Sequence, residues 1–115
     1  MKAKQFEKVN SYNKLARYCA SLTNPRRTSL IEAIASKPNC VRNTYIEVEG
    51  LNKFAVGTNL KYLKRFGIIN GVLTTKHLEY CINYESIEEF KHLFDDFYNK
   101  VMAHKNRVNQ ETCNG

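Results

Sequence analysis

The segment from Gly50 to Gly67 constrains this chain more than any other stretch. Gly50, Leu51 and Asn52 precede an uninterrupted run from Lys53 to Phe66, and Gly67 follows it. Asn52 suits a helix cap, because its side-chain oxygen can accept a backbone N–H of the first turn. Val56, Leu60 and Leu63 fall at i, i+4 and i+7, so one stripe of the helix must face a core. Gly67 suits the left-handed residue that commonly ends a helix. Just upstream, residues Asn43 to Glu49 read as a short helix with Ile46 facing inward and Gly50 at its C-terminal end. Two helices joined by a turn this tight predict a helix-turn-helix.

The flanking segments supply the rest of a single domain. Residues Gln5 to Leu22 predict a first helix, with Val9, Tyr12, Ala16 and Cys19 on one stripe and Leu15, Tyr18 and Leu22 beside it. So wide an apolar arc predicts two partners, the core on one side and another subunit on the other. Asn24 and Pro25 are cap and first residue of a second helix, whose apolar face is Leu30, Ile31, Ile34 and Ala35. Lys37, Pro38 and Asn39 end it. After the helix-turn-helix, Ile68 to Thr74 and Leu78 to Asn83 read as two strands that include Ile68, Ile69, Val72, Tyr80 and Ile82. Thr74, Thr75, Lys76 and His77 join them in a polar, basic hairpin tip.

Ser86 followed by Glu89 predicts a capping box at the start of a last helix. Ile87, Phe90, Phe94, Phe97 and Val101 recur along it at helical spacing, with Leu93 and Met102 alongside. Four aromatics within Phe90–Tyr98 exceed the needs of one modest core, so Phe90, Phe94, Phe97 and Val101 are candidate dimer contacts together with Val9 and Tyr12. From His104 the chain turns polar, which divides it into a domain over 1–104 and a frayed tail over 105–115.

Charge narrows the function. The net is +7 on 115 residues, but residues 1–78 hold 14 basic and 4 acidic side chains, whereas 79–115 hold 4 and 7. Between Gly50 and Leu78 there is no acid, against Lys53, Lys61, Lys64, Arg65 and Lys76. The predicted recognition face, with Lys53, Phe54, Gly57, Thr58, Lys61 and Lys64, is basic and has small residues in its N-terminal half, where a helix approaches base edges. No apolar run approaches the roughly 20 residues of a membrane span, and no basic amphipathic helix suggests a membrane surface. Met1 to Asn10 lacks the apolar centre of a signal peptide, so the expected location is the cytoplasm and the four cysteines are expected to be thiols. No nucleophile–base pair, phosphate loop or spaced carboxylate pair is present, so neither an enzyme nor a cofactor site is expected.

The element order, helices followed by helix-turn-helix, hairpin and helix, is that of a winged helix. Three motifs sharpen this. Leu22-Thr23-Asn24-Pro25-Arg26-Arg27 resembles the Leu-x-Asp-Pro-x-Arg segment of ArsR-type (ArsR/SmtB) regulators, with Asn for Asp. Gly50-Leu51-Asn52, Val56, Leu60, Leu63 and Gly67-Ile68-Ile69 resemble that family's recognition segment. Tyr80 stands where the family has an aromatic in the second wing strand. The resemblance covers about Leu15 to Val101 and implies a mainly α fold with a small β-hairpin wing. It implies a homodimer through the first and last helices that binds double-stranded DNA as a transcriptional repressor. The matched recognition positions are Lys53, Phe54, Gly57, Thr58, Asn59 and Lys61, of which Phe54 and Gly57 depart from the family pattern. Phe54 either meets a thymine methyl or packs inside, and Asn59 either contacts DNA or faces the protein. Asn52, Lys64 and the wing residues Thr75, Lys76 and His77 complete the expected DNA contacts. The competing reading, a winged-helix protein-interaction module, would favour an acidic or apolar recognition face.

Many proteins of that type sense metals or thiol chemistry. The aligned stretch Cys40-Val41-Arg42-Asn43-Thr44 lacks the second cysteine of the family's Cys-x-Cys site, and no Cys-x-x-Cys or His-x-x-x-His occurs. Other members use acids and histidines on the last helix, where His92, Asp95, Asp96 and His104 are the candidates here, but exposed helix residues look the same and no metal is expected. Cys19 and Cys81 read as small buried hydrophobes, while Cys40 and Cys113 read as accessible, with Cys40 the candidate redox sensor. The sequence names no inducer and no operator.

Overall fold

Four helices enclose a small sheet in the computed structural model, which describes the backbone of residues 2–114 and the side chains of residues 10–108. In chain order they are α1 (Lys2–Ala20), α2 (Pro25–Ala35), β1 (Val41–Arg42), a 3-10 turn (Asn43–Tyr45), α3 (Lys53–Arg65), β2 (Ile69–Leu73), β3 (Leu78–Ile82) and α4 (Tyr84–Asn114). The sheet is antiparallel in the order β1-β3-β2, with Val41 opposite Tyr80 and Gly71 also opposite Tyr80 on the other side.

Local chemistry explains most of the boundaries. Asn24 Oδ1 accepts from the Arg26 N–H at 2.9 Å and Pro25 occupies the first turn of α2, where its missing N–H is not needed. Asn52 Oδ1 accepts from the Ala55 N–H at 2.8 Å and starts α3. Gly50 and Gly67 bracket α3 with φ of +84° each, a region disfavoured for residues that carry a Cβ. The core joins Leu30 and Ile34 of α2, Val56, Leu60 and Leu63 of α3, Ile69 and Tyr80 of the sheet, and Tyr18 of α1. Leu60 and Leu63 are essentially inaccessible, and burying each contributes about 1.5–3 kcal/mol.

The structure differs from the expected element boundaries at several points. Residues 43–49 form one 3-10 turn and then an extended stretch, not a short helix. Thr44, Ile46 and Val48 are β-branched and spaced by two, a pattern that favours extended chain. Ile46 is buried as expected, but from extended backbone. The preceding residues Val41 and Arg42 add a third strand to what sequence spacing gives as a hairpin.

The last helix begins at Tyr84, earlier than a Ser86 cap would allow. Asn83 takes the Ser86 N–H on its side chain at 3.2 Å and the Ile87 N–H on its carbonyl at 3.1 Å. Glu89 does not close a capping box, because its carboxylate is held by Tyr18 and Lys14 of α1. The helix also continues past His104 to Asn114, so the polar end is helical in its backbone. At 31 residues α4 is about 46 Å long, and only its first half, through Ile87, Phe90 and Leu93, reaches the core.

Candidate nucleic-acid interface

Helix α3 is amphipathic, and its core contacts decide what the outer face presents. With Val56, Leu60 and Leu63 buried, Lys53, Phe54, Thr58, Lys61 and Lys64 are exposed. Phe54 is 83% exposed, so of its two expected roles packing inside is excluded. A Cβ at Gly57 would meet nothing within 4 Å, so the backbone is bare at the middle of this face. Thr58 donates to the Phe54 carbonyl at 3.0 Å, which leaves its hydroxyl oxygen as an acceptor toward solvent. Asn52 remains exposed, with its oxygen occupied by the cap.

Of the two orientations open to Asn59, the structure shows the one that faces the protein. Its Nδ2 donates to the Ala55 carbonyl at 2.8 Å and its Oδ1 accepts from Arg27 Nε at 3.2 Å, so the side chain faces the protein. Arg27 is the residue that sequence reasoning missed. It also donates to the Ala20 carbonyl at 3.2 Å and lies over the Tyr62 ring at 4.8 Å. Arg17 of α1 donates to the Arg65 carbonyl at 2.6 Å, at the C-terminal end of α3 where a cation meets the negative end of the helix dipole. Two arginines thus orient α3 from behind. Tyr62 and Phe66, four apart and stacked at 6.4 Å, were the available signal for the Arg27 contact.

In the wing, Thr74 and His77 close the turn through the Thr74 N–H to His77 carbonyl bond at 2.8 Å. This leaves Thr75 and Lys76 exposed at the tip. The His77 ring turns back onto Glu79, with Nε2 3.1 Å from Oε1, and is half-buried. Lys64 reaches across toward β2, where its aliphatic stem lies 3.3 Å from where a Cβ on Gly71 would stand. Among the described residues, Lys53, Lys61, Lys64 and Lys76 have no ion-pair partner, so their charge is uncompensated along one side of the molecule.

A second surface carries the apolar surplus of α1 and α4. Tyr12, Leu15, Ala16, Cys19, Phe94 and Phe97 line a groove of about 500 Å³. Phe94 and Phe97 are 46% and 43% exposed, and Tyr12 and Val101 are similarly open. Phe90, also expected at this surface, is partly buried. It stacks on Tyr18 at 5.5 Å and packs against the domain's own core. The Val9 side chain lies outside the described residues.

The cysteines also differ from expectation. Cys40 and Cys81 are disulfide-bonded across β1 and β3, with Cα atoms 4.5 Å apart. Cys81 is therefore a bonded partner and not simply a small buried hydrophobe. Cys40 is exposed, as expected. Cys19 is exposed in the α1–α4 groove, not buried, because α1 turns that stripe away from the core. Cys113 lies outside the residues whose side chains are described. On α4, Asp95 accepts from Lys91 at 2.6 Å.

A 3-10 turn and extended stretch leading into α3, a two-stranded wing of β2 and β3, and the paired terminal helices α1 and α4 together match the winged helix-turn-helix fold. Solved structures match it over most of the chain. An ArsR-like transcriptional regulator from Rhodococcus sp. RHA1 superposes with a TM-score of 0.75 at 13% identity, covering 88% of this chain and 94% of that one. The homodimeric winged helix-turn-helix DNA-binding domain of a possible ArsR-family regulator from Mycobacterium bovis gives 0.62 at 21% identity, covering 84% and 89%. A possible transcriptional regulator for arsenical resistance gives 0.59 at 16% identity, covering 79% and 94%. No family model matches the sequence, and no curated protein does. The likeness is one of fold, and it is the fold that the ArsR resemblance implies.

Proposed function

We propose that this chain is a sequence-specific DNA-binding transcriptional regulator, a homodimeric repressor working in the cytoplasm. Helix α3 enters the major groove, and the 74–77 wing touches flanking DNA. The observation that carries this reading is the outer face of α3. It joins uncompensated lysines, a bare backbone at Gly57 and an outward Thr58 on a helix fixed from behind by Arg17 and Arg27. Lys53, Lys61, Lys64 and Lys76 neutralise phosphates and release counterions. Thr58 and Phe54 remain for base edges, Phe54 suiting a thymine methyl. The α1–α4 groove takes the same groove of a second copy, which puts two recognition helices on one side of the dimer. Neighbours of the same fold include a regulator and a homodimeric DNA-binding domain, which supports the reading.

The test is electrophoretic mobility shift on promoter DNA from the gene's own neighbourhood, with Lys61→Glu and Thr58→Ala as controls. Wild-type binding no better than the controls at physiological salt would remove α3 from the interface. The exposed apolar residues Phe54 and Leu73, the latter 81% exposed, favour a second reading as a protein-interaction module. Binding that prefers the promoter DNA over a scrambled duplex at physiological salt decides against it.

A further inference from the structure

The disulfide lies where a bond bears most directly on the proposed DNA face. Val41 pairs with Tyr80 and Arg42 with Glu79, so the same antiparallel register sets Cys40 opposite Cys81. Their Cα separation of 4.5 Å is that of a non-hydrogen-bonded cross-strand pair, which no backbone bond holds together. Strand β1 has only two ladder residues of its own, and the sulfur bridge adds a third rung to it. Beyond β1 the chain runs through the 3-10 turn and the extended stretch straight to the Asn52 cap of α3. On the other side, Cys81 sits in β3, the strand that carries the wing. The bridge therefore ties the wing to the approach of the recognition helix.

The bridge is also reachable. Cys40 is exposed and Cys81 half-buried, so attack falls on Cys40. A cleft of about 420 Å³ beside Cys40 is lined by Lys37, Pro38, Asn39, Val41, Arg42 and Tyr45. Its two charged residues are both cations, which favours the approach of a negatively charged thiol.

We propose that Cys40 and Cys81 form a reversible thiol–disulfide couple, exchanged through Cys40 with anionic low-molecular-weight thiols, that sets how firmly the wing is held relative to α3. A thiolate RS⁻ attacks Cys40 Sγ, forms the mixed disulfide Cys40–S–SR and releases the Cys81 thiolate, which takes a proton. A second RS⁻ attacks the thiol's own sulfur of that mixed disulfide, giving RSSR and the Cys40 thiolate, which is protonated in turn. Two RSH are oxidised to one RSSR, and one protein disulfide is reduced to two thiols. The bonded form is the preorganised one. The further step to DNA affinity rests on the DNA-binding reading above, and there the reduced form binds about tenfold more weakly.

The experiment equilibrates the full chain in buffers of varied reduced and oxidised glutathione, traps the thiols by acid and alkylation, and maps them by mass spectrometry. The expected result is a reversible transition of the Cys40–Cys81 pair within that range. A bond that survives a large excess of reduced glutathione, or a pair that never forms one, overturns the couple. In a Cys81→Ser chain, Cys40 should take glutathione disulfide about tenfold faster than neutral hydroxyethyl disulfide, and Lys37→Glu should narrow that ratio. Equal rates overturn the anionic preference. DNA affinity is then measured in both redox states beside a Cys40→Ser/Cys81→Ser chain. Equal affinity in both states overturns the coupling to DNA. Absence of DNA binding in every form sinks the DNA reading and the coupling with it, while the glutathione titration still decides the couple.

Discussion

The Tyr18 hydroxyl donates to Glu89 Oε1 at 2.5 Å, and this bond joins α1 to α4 across 71 positions of sequence. Lys14 adds a contact to the other carboxylate oxygen at 3.4 Å, at the surface. The Tyr18 hydrogen bond holds the Glu89 carboxyl below its ordinary 4.5, with Lys14 assisting. Burial first, and then the bond to Glu89, raises Tyr18 above its ordinary 10.0. A depressed carboxyl stabilises the fold above its ordinary value and loses that contribution as pH falls through the folded value. Wild type should therefore lose stability on acidification below about 4.5, and Glu89→Gln should lose less. Near neutral pH, Tyr18→Phe should destabilise by about 0.5–1.5 kcal/mol, because it removes one hydrogen bond while Lys14 and water still reach the carboxylate. Urea midpoints at pH 7 and through the acid range check both. A raised tyrosine acts in the opposite direction, contributing below 10.0 and losing its share as pH rises through its folded value.

Arg27 orients α3, so its removal should be felt as stability. Arg27→Ala loses two side-chain hydrogen bonds and the contact over Tyr62, and about 1–3 kcal/mol is expected in denaturant unfolding. Asn59→Ala should likewise lower stability and leave the relative affinities for different DNA sequences unchanged. Thr58→Ala should do the reverse. Paired unfolding curves and competition binding on the same variants separate the two roles.

Phe97→Asp should abolish self-association. The side chain lines the α1–α4 groove and is nearly half exposed in the single chain, so the substitution leaves the core intact and buries a charge only in a dimer. Sedimentation velocity should show a monomer with an unchanged circular dichroism spectrum, and DNA affinity should fall with the lost second half-site. Phe90→Ala, by contrast, should destabilise the fold, by less than the roughly 3–5 kcal/mol of a fully buried aromatic because the ring is only partly buried against Tyr18 and the core.

Lys61→Ala should weaken DNA binding uniformly across sequences and reduce the slope of log affinity against log salt by about 1. The same holds for Lys76→Ala if the wing meets a phosphate. Titrations at four or five salt concentrations suffice. An unchanged slope for both would place the phosphates elsewhere.

Much of the architecture was legible in residue order because it rests on local rules. Asn24 with Pro25, and Asn52 with Gly67, mark helix ends by capping chemistry that acts within a few residues. Val56, Leu60 and Leu63 mark the buried stripe of α3, and with it which lysines face outward. The acid-free stretch from Gly50 to Leu78 needs no coordinates to be seen.

Contacts between distant segments were decided only in three dimensions. Glu89 left its capping box for Tyr18 and Lys14, and Asn83 took over the cap. Asn59 turned inward because Arg27, 32 positions earlier, offered it a partner. Phe90 joined the core while Phe94 and Phe97 stayed out, a division that the stripe of aromatics does not encode by itself. Cys40 and Cys81 met across 41 positions because strand register, not sequence spacing, set them opposite. The physical reason is common to all four. Capping and periodicity are satisfied by neighbours along the chain, whereas the partner of a polar, aromatic or sulfur-bearing side chain is whichever group the packed elements bring within reach.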